Sequence, residues 1–177
     1  MQKTSGFSIW LLPDETSSNL LSAAIESLSK SLSSPLFLPH ITLASVPSDS
    51  DSEILLDNLD QFASDRQELI VRAKDLICGK PPFQRYYLLL KESETLQQFS
   101  ETMDSLLGGN YSRKTNYHIS LYYGFESCDE IRVAYDHGNM DLPNEMYIQS
   151  IALVNIDGYP EEWEILGQRK LSSRNAE

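Results

Sequence analysis

His40-Ile41-Thr42-Leu43 and His118-Ile119-Ser120-Leu121 are almost the same tetrapeptide, one in each half of a 177-residue chain. Each lies in a stretch that reads as a β-strand, where successive side chains point to opposite faces. His40 and Thr42 then share one face and Ile41 and Leu43 the other, and His118 and Ser120 are divided from Ile119 and Leu121 in the same way. The apolar pair of each strand can pack against helices. The imidazole and hydroxyl lie on the opposite face, which suits a cleft better than a dry core. Each motif is followed closely by an acid-led helical stretch. Two lobes related by an approximate two-fold axis are therefore expected, with the motifs facing each other.

The same alternation extends outward from the motifs. Strands are expected over residues 5–12, 37–46, 69–78, 86–91, 117–123, 147–156 and 163–169, the last two joined by a turn at 157–160. In the first of these, Phe7, Ile9 and Leu11 share one face and Ser8 and Trp10 the other. Helices are expected over 15–33, 49–62, 94–107 and 127–137. Leu21, Ile25, Leu28 and Leu32 form the apolar stripe of the first helix, and Gly108-Gly109 stops the third. Interleaved helices and strands give an α/β or α+β fold class. Residues 1–171 are expected to form a single domain of two pseudo-symmetric lobes, with 172–177 a frayed tail.

Lys and Arg number 14 against 26 Asp and Glu, a formal net charge of −12. Long nucleic acids need a clustered positive field, so they are disfavoured as partners, whereas one small phosphate can be held by a few local donors. The apolar stretch near the N-terminus is too short for a signal segment, and no apolar run is long enough to span a membrane. A monomeric intracellular protein is expected, cytoplasmic with the nucleus as an alternative. Cys78 and Cys128 form no metal-type cluster, and in a reducing compartment both are expected to be free thiols.

Of three histidines, two occupy the repeated motif, while His137 ends a polar helix and reads as a surface residue. Two imidazoles facing each other suit phosphodiester hydrolysis. One can take a proton from attacking water, and the other can give one to the departing sugar oxygen, because an ordinary imidazole exists in both forms near neutral pH. Thr42 and Ser120 can donate to the non-bridging oxygens as charge grows on them. No metal and no cofactor are then needed. Two histidines without a third ligand at clear spacing do not make the usual zinc site. The sequence leaves open which histidine is acid and which is base.

The two motifs resemble the signature of the two-histidine (2H) phosphoesterase superfamily. Ser8-Ile9-Trp10-Leu11-Leu12-Pro13, Phe37-Leu38-Pro39-His40 and Pro82-Phe83-Gln84-Arg85-Tyr86 further resemble the cyclic phosphodiesterase branch found in plants and fungi, so the likeness spans nearly the whole chain. The resemblance implies two antiparallel sheets facing a central cleft with helices outside. It implies hydrolysis of ADP-ribose 1″,2″-cyclic phosphate to ADP-ribose 1″-phosphate, a step downstream of tRNA splicing, and of nucleoside 2′,3′-cyclic phosphates to 2′-phosphates. It makes His40 and His118 catalytic and Thr42 and Ser120 phosphate-holding. The family also places an aromatic ring beside the sugar. Strand parity favours Tyr122 for it and the family's spacing favours Tyr123, and Tyr123 is preferred because Gly124 follows at once. Trp10 and Phe83 match cleft aromatics, although each could equally be core. Arg113 and Lys114 could face phosphate, with a solvated role the plainer reading. Competing functions are an RNA-end or 2′,5′-linkage phosphoesterase of the same superfamily and a non-catalytic nucleotide-binding module.

Overall fold

A computed structural model describes residues 1–109, 111–113 and 116–173, with residue 113 described by its backbone only. Four helices form where the sequence supplies caps. Helix α1 (Glu15–Leu32) starts at Asp14, whose carboxylate accepts from the Ser17 amide, and buries Leu21, Ile25 and Leu28. Helix α2 (Ser52–Ser64) is capped by Asp51 and buries Leu55, Leu59 and Phe62. Helix α3 (Glu94–Leu107) is capped by Ser93 and ends at Gly108, whose φ of 64° is the left-handed conformation glycine tolerates best. Helix α4 (Cys128–Gly138) opens with a capping box between Ser127 and Glu130.

The strands are β1 (Phe7–Pro13), β2 (Ile41–Val46), β3 (Leu69–Cys78), β4 (Tyr86–Leu90), β5 (Ser112–Arg113), β6 (His118–Tyr122), β7 (Glu145–Asn155) and β8 (Glu164–Lys170). They join in the order β1-β2-β6-β4-β3-β7-β8, and β1 also pairs with β7. Six strands thus close into a ring, all neighbours antiparallel, with β8 outside on β7 and β5 on β2. The pairing pattern repeats between the two halves of the chain. In β1-α1-β2-α2-β3 and β4-α3-β6-α4-β7, β1 pairs with β2 and β7 as β4 pairs with β6 and β3. Helix α1 packs on α4 and β6, and its counterpart α3 packs on α2 and β2. The two motif strands touch at one register pair only, Ile41 opposite Ile119, so the sheets diverge beside them. This is the α+β architecture expected.

Several boundaries move. The first motif strand begins at Ile41 and not at residue 37, because Pro39 has no N–H to donate to a ladder. The two-residue β5 was not foreseen. Ser172, expected to fray, is held by Glu68 N–H donating to its carbonyl and by its own amide donating to Arg66, while 174–177 lie outside the described residues. The largest correction concerns the cysteines. Cys78 at the end of β3 and Cys128 at the start of α4 form a disulfide, Cα atoms 5.9 Å apart. The expectation of free thiols rested on a reducing compartment, and the closed ring instead brings the two segments together. Among the described residues, no helix is long and apolar enough to cross a membrane.

Candidate active site

The motif strands carry a matched irregularity. Between β1 and β2, Ile9 faces Ala44 while Trp10 faces Thr42, leaving Leu43 as an extra residue. Between β4 and β6, Tyr86 faces Tyr122 while Tyr87 faces Ser120, leaving Leu121 extra. Such a bulge turns two successive side chains to one face. Leu43 and Ala44 both enter the main core, as do Leu121 and Tyr122. The next residue returns to the cleft, which puts Ser45 beside Thr42 and Tyr123 beside Ser120. Of the two tyrosines, Tyr122 is buried with its hydroxyl on Glu126, and Tyr123 lines the cleft.

His40, His118, Thr42, Ser120, Tyr123, Trp10 and Phe83 all line one cavity of about 260 Å3. The two histidines are held alike. Nδ1 of His40 lies 2.6 Å from the Leu38 carbonyl oxygen, and Nδ1 of His118 lies 2.8 Å from that of Asn116. A carbonyl only accepts, so Nδ1 carries the ring hydrogen and donates it, leaving the basic lone pair on Nε2. Each carbonyl belongs to the residue two before its histidine, so one local geometry serves both motifs.

Their surroundings differ. Trp10 stacks on His40 with ring centroids 3.6 Å apart, whereas the equivalent Tyr87 is tilted 52° from the His118 ring at 4.8 Å. His40 is 6% exposed, while His118 is only half-buried. Burial pushes the His40 imidazole down to about 4, the Leu38 carbonyl opposes this, and the His118 charge adds to it. At neutral pH the His40 imidazole is therefore uncharged.

The hydroxyls complete the cavity. Ser120 Oγ donates to the Phe83 carbonyl at 3.2 Å, and Tyr123 lines the same cavity. Burial pushes the Tyr123 phenol up, so it stays protonated and can donate. Trp10 and Phe83 both line the cavity, Trp10 while packed in a buried cluster with Leu12, Ala152 and Val154 and donating from Nε1 to Ser8 Oγ at 2.7 Å. Sequence reasoning missed Thr4, Ser8, Ser45, Gln84 and above all Trp163, whose ring lies 5.8 Å from Trp10, 6.1 Å from Phe83 and 6.0 Å from Tyr123. Trp163 precedes β8 far from either motif, and only the pairing of β8 with β7 and of β7 with β1 delivers it. His137 is exposed, as expected, and Lys114 and the side chain of Arg113 lie outside the described residues. Among the described residues, no three His, Cys, Asp or Glu side chains gather where they could hold a metal ion.

The fold has solved counterparts. The chain superposes on a phosphoesterase with a TM-score of 0.62 at 10% identity, covering 95% of this chain and 98% of that one. It superposes on E. coli LigT complexed with 3′-AMP with a TM-score of 0.60 at 12% identity, covering 96% and 99%. The fold is the one these phosphoesterase and LigT structures share. LigT complexed with phosphate gives 0.55 at 13% identity, covering 97% of this chain and 99% of that one. At such identities the likeness to LigT is one of fold. No family model matches the chain, and no curated protein matches it in sequence.

Proposed function

We propose that the chain is a metal-independent cyclic phosphodiesterase that hydrolyses small cyclic phosphates: ADP-ribose 1″,2″-cyclic phosphate to the 1″-phosphate, and nucleoside 2′,3′-cyclic phosphates to 2′-phosphates. The observation that carries this is the convergence of both histidines and both motif hydroxyls on one cavity, each imidazole fixed in the same tautomer. His40, neutral because it is buried, takes a proton from water as the water oxygen bonds to phosphorus. The bond from phosphorus to one ring oxygen breaks, and protonated His118 gives that oxygen its proton. Thr42, Ser120 and Tyr123 donate to the non-bridging oxygens, and Trp10, Phe83 and Trp163 wall the sugar. These side chains supply both proton transfers and the charge stabilisation, which supports a reaction without metal. The ligands named with the LigT structures, 3′-AMP and phosphate, are small phosphates, the general kind of molecule this reading places in the cavity.

The test is turnover of both substrate classes by purified protein in excess chelator. Full activity is expected, with phosphate left on the oxygen named above. A tenfold loss restored by zinc or magnesium would overturn metal independence. A preference rising with oligonucleotide length and falling with salt would move the reading to an RNA-end phosphoesterase.

A further inference from the structure

Trp163 stands among the aromatic rings of the cleft, edge-on to Trp10 and Tyr123 and tilted toward Phe83. It lines both the catalytic cavity and a second cavity of about 330 Å3, so its indole is a wall between the two. The segment that carries it is irregular. It runs through Gly158, whose φ of 94° is left-handed, and a single 3-10 turn, Pro160–Glu162, before β8 begins. Its partners come from the start of the chain. Ile156 N–H donates to the Gly6 carbonyl at 2.9 Å, and Gly6 N–H donates to Asp157 Oδ1 at 2.8 Å. Thr4 and Gly158 exchange backbone N–H to carbonyl bonds of 2.9 and 3.0 Å. Thr4 then adds its side chain: the hydroxyl accepts from Trp163 Nε1 at 3.0 Å and donates toward the carbonyls of Ile156 and Gly158.

An indole N–H can only donate, and a half-buried one needs an acceptor. A hydroxyl can accept and donate at once, and Thr4 does both, between the indole and the backbone of the turn. Its branched Cβ also confines that hydroxyl to few rotamers. Ring contacts alone leave an indole free to shift in its plane, whereas a hydrogen bond at Nε1 fixes its edge. Resting on the cyclic phosphodiesterase reading, in which Trp163 walls the sugar, we infer that Thr4 is a positioning residue for substrate binding, its hydroxyl holding the Trp163 indole in place against the cleft. The indole meets the sugar alike in the bound substrate and in the transition state, because the growing charge lies on the phosphate. Losing its anchor therefore raises KM and spares kcat.

The experiment measures kcat and KM for a nucleoside 2′,3′-cyclic phosphate in Thr4→Val, Thr4→Ser and Trp163→Phe, and solvent exchange of the Trp163 indole N–H by NMR. Val has nearly the shape of Thr and keeps the backbone pairing with Gly158, so Thr4→Val should fold. Trp163→Phe removes the same hydrogen bond from its other end. Thr4→Val should raise KM by about threefold to tenfold, the scale of one uncharged hydrogen bond, with kcat within about twofold. Thr4→Ser keeps both donor and acceptor and should stay within about twofold of the wild type in each constant. Added to Trp163→Phe, Thr4→Val should change KM by less than about twofold, because the group it acts through is already gone. The Trp163 indole N–H should exchange faster in Thr4→Val than in the wild type or Thr4→Ser. With the wild type active, an unchanged KM in Thr4→Val, an equal loss in Thr4→Ser, losses that multiply in the double variant, or unchanged exchange would overturn the inference. No turnover by the wild type would instead remove the cyclic phosphodiesterase reading, and the substrate role of Thr4 with it.

Discussion

The indole of Trp10 lies flat against the imidazole of His40, centroids 3.6 Å apart and planes 9° from parallel. This contact removes water from one face of the ring, and burial is the main cause of the fall of His40 to about 4. Activity that needs neutral His40 should therefore persist well below the ordinary imidazole range and fall as pH drops through about 4. Trp10→Ala should rehydrate the ring and move the acid limb of kcat/KM upward. An acid limb already near 6.5 in the wild type would show that His40 does not titrate as its burial requires.

Each of His40→Ala and His118→Ala should cost roughly 10²–10⁴-fold in rate, the range for one general acid or base. The double variant should lose far less than the product of the two, because the pair acts as a unit. The pH profile should be bell-shaped, with limbs belonging to the coupled pair. Near-normal turnover in either single variant would remove that residue from the mechanism.

Thr42→Ala or Ser120→Ala should cost roughly 1.5–3 kcal/mol in transition-state stabilisation, as expected for a hydrogen bond to a charged group. Thr42→Ser keeps the donor and should be much milder. Ser120 must turn from the Phe83 carbonyl to meet phosphate, so its loss should act mainly on kcat. If Thr42→Ser and Thr42→Ala behave alike, the methyl group and not the hydroxyl matters.

Stability should depend on pH through the same imidazole. The folded value of His40, about 4, lies below the unfolded 6.5, so the unfolded chain binds more protons between them. The full stability is present above 6.5 and is lost as pH falls toward 4, by about 3 kcal/mol from this group alone. Urea melts of the wild type and His40→Gln at pH 7.5 and 4.5 test this. The wild type should lose more than the variant across that interval, and equal losses would count against the buried neutral ring.

The disulfide closes a loop of 50 positions, worth about 4 kcal/mol in the chain-entropy account. Cys78→Ser with Cys128→Ser should lower the unfolding free energy by that order in denaturant melts. The bridge also ties the 79–85 loop, which carries Phe83, to the segment after Tyr123. Gly124 N–H donates to the Pro82 carbonyl at 3.0 Å and Arg85 Nε to that of Glu126 at 2.7 Å across the same gap. A raised KM is expected in the variant. Unchanged stability and KM would show that these hydrogen bonds hold the loops without the bridge.

The repeated motif carried the functional reading in the sequence because it is local. Alternation over His40-Ile41-Thr42-Leu43 and its counterpart sorts imidazole and hydroxyl from core, and capping residues such as Asp14, Asp51, Ser93 and Ser127 mark the helix starts. Period and capping act over one or two turns of chain, so they are written in consecutive residues.

Relationships between distant residues were not legible in that way. Parity alone pointed to Tyr122, and the bulge opposite Tyr86 and Tyr87 reversed it, because pairing with a neighbouring strand sets which residue is extra. Cys78 and Cys128 looked separate until the ring closed. Trp163 gave no local signal and reaches the cleft only through two successive strand pairings. The inequality of the histidines is of the same kind. Their motifs are almost identical, and what separates a buried His40 under Trp10 from a half-buried His118 beside Tyr87 is the neighbouring strand each motif acquires. The sequence by itself determined which groups could do the chemistry. Their protonation and their companions were decided by tertiary structure, since desolvation and stacking depend on what packs against a ring and not on what adjoins it in the chain.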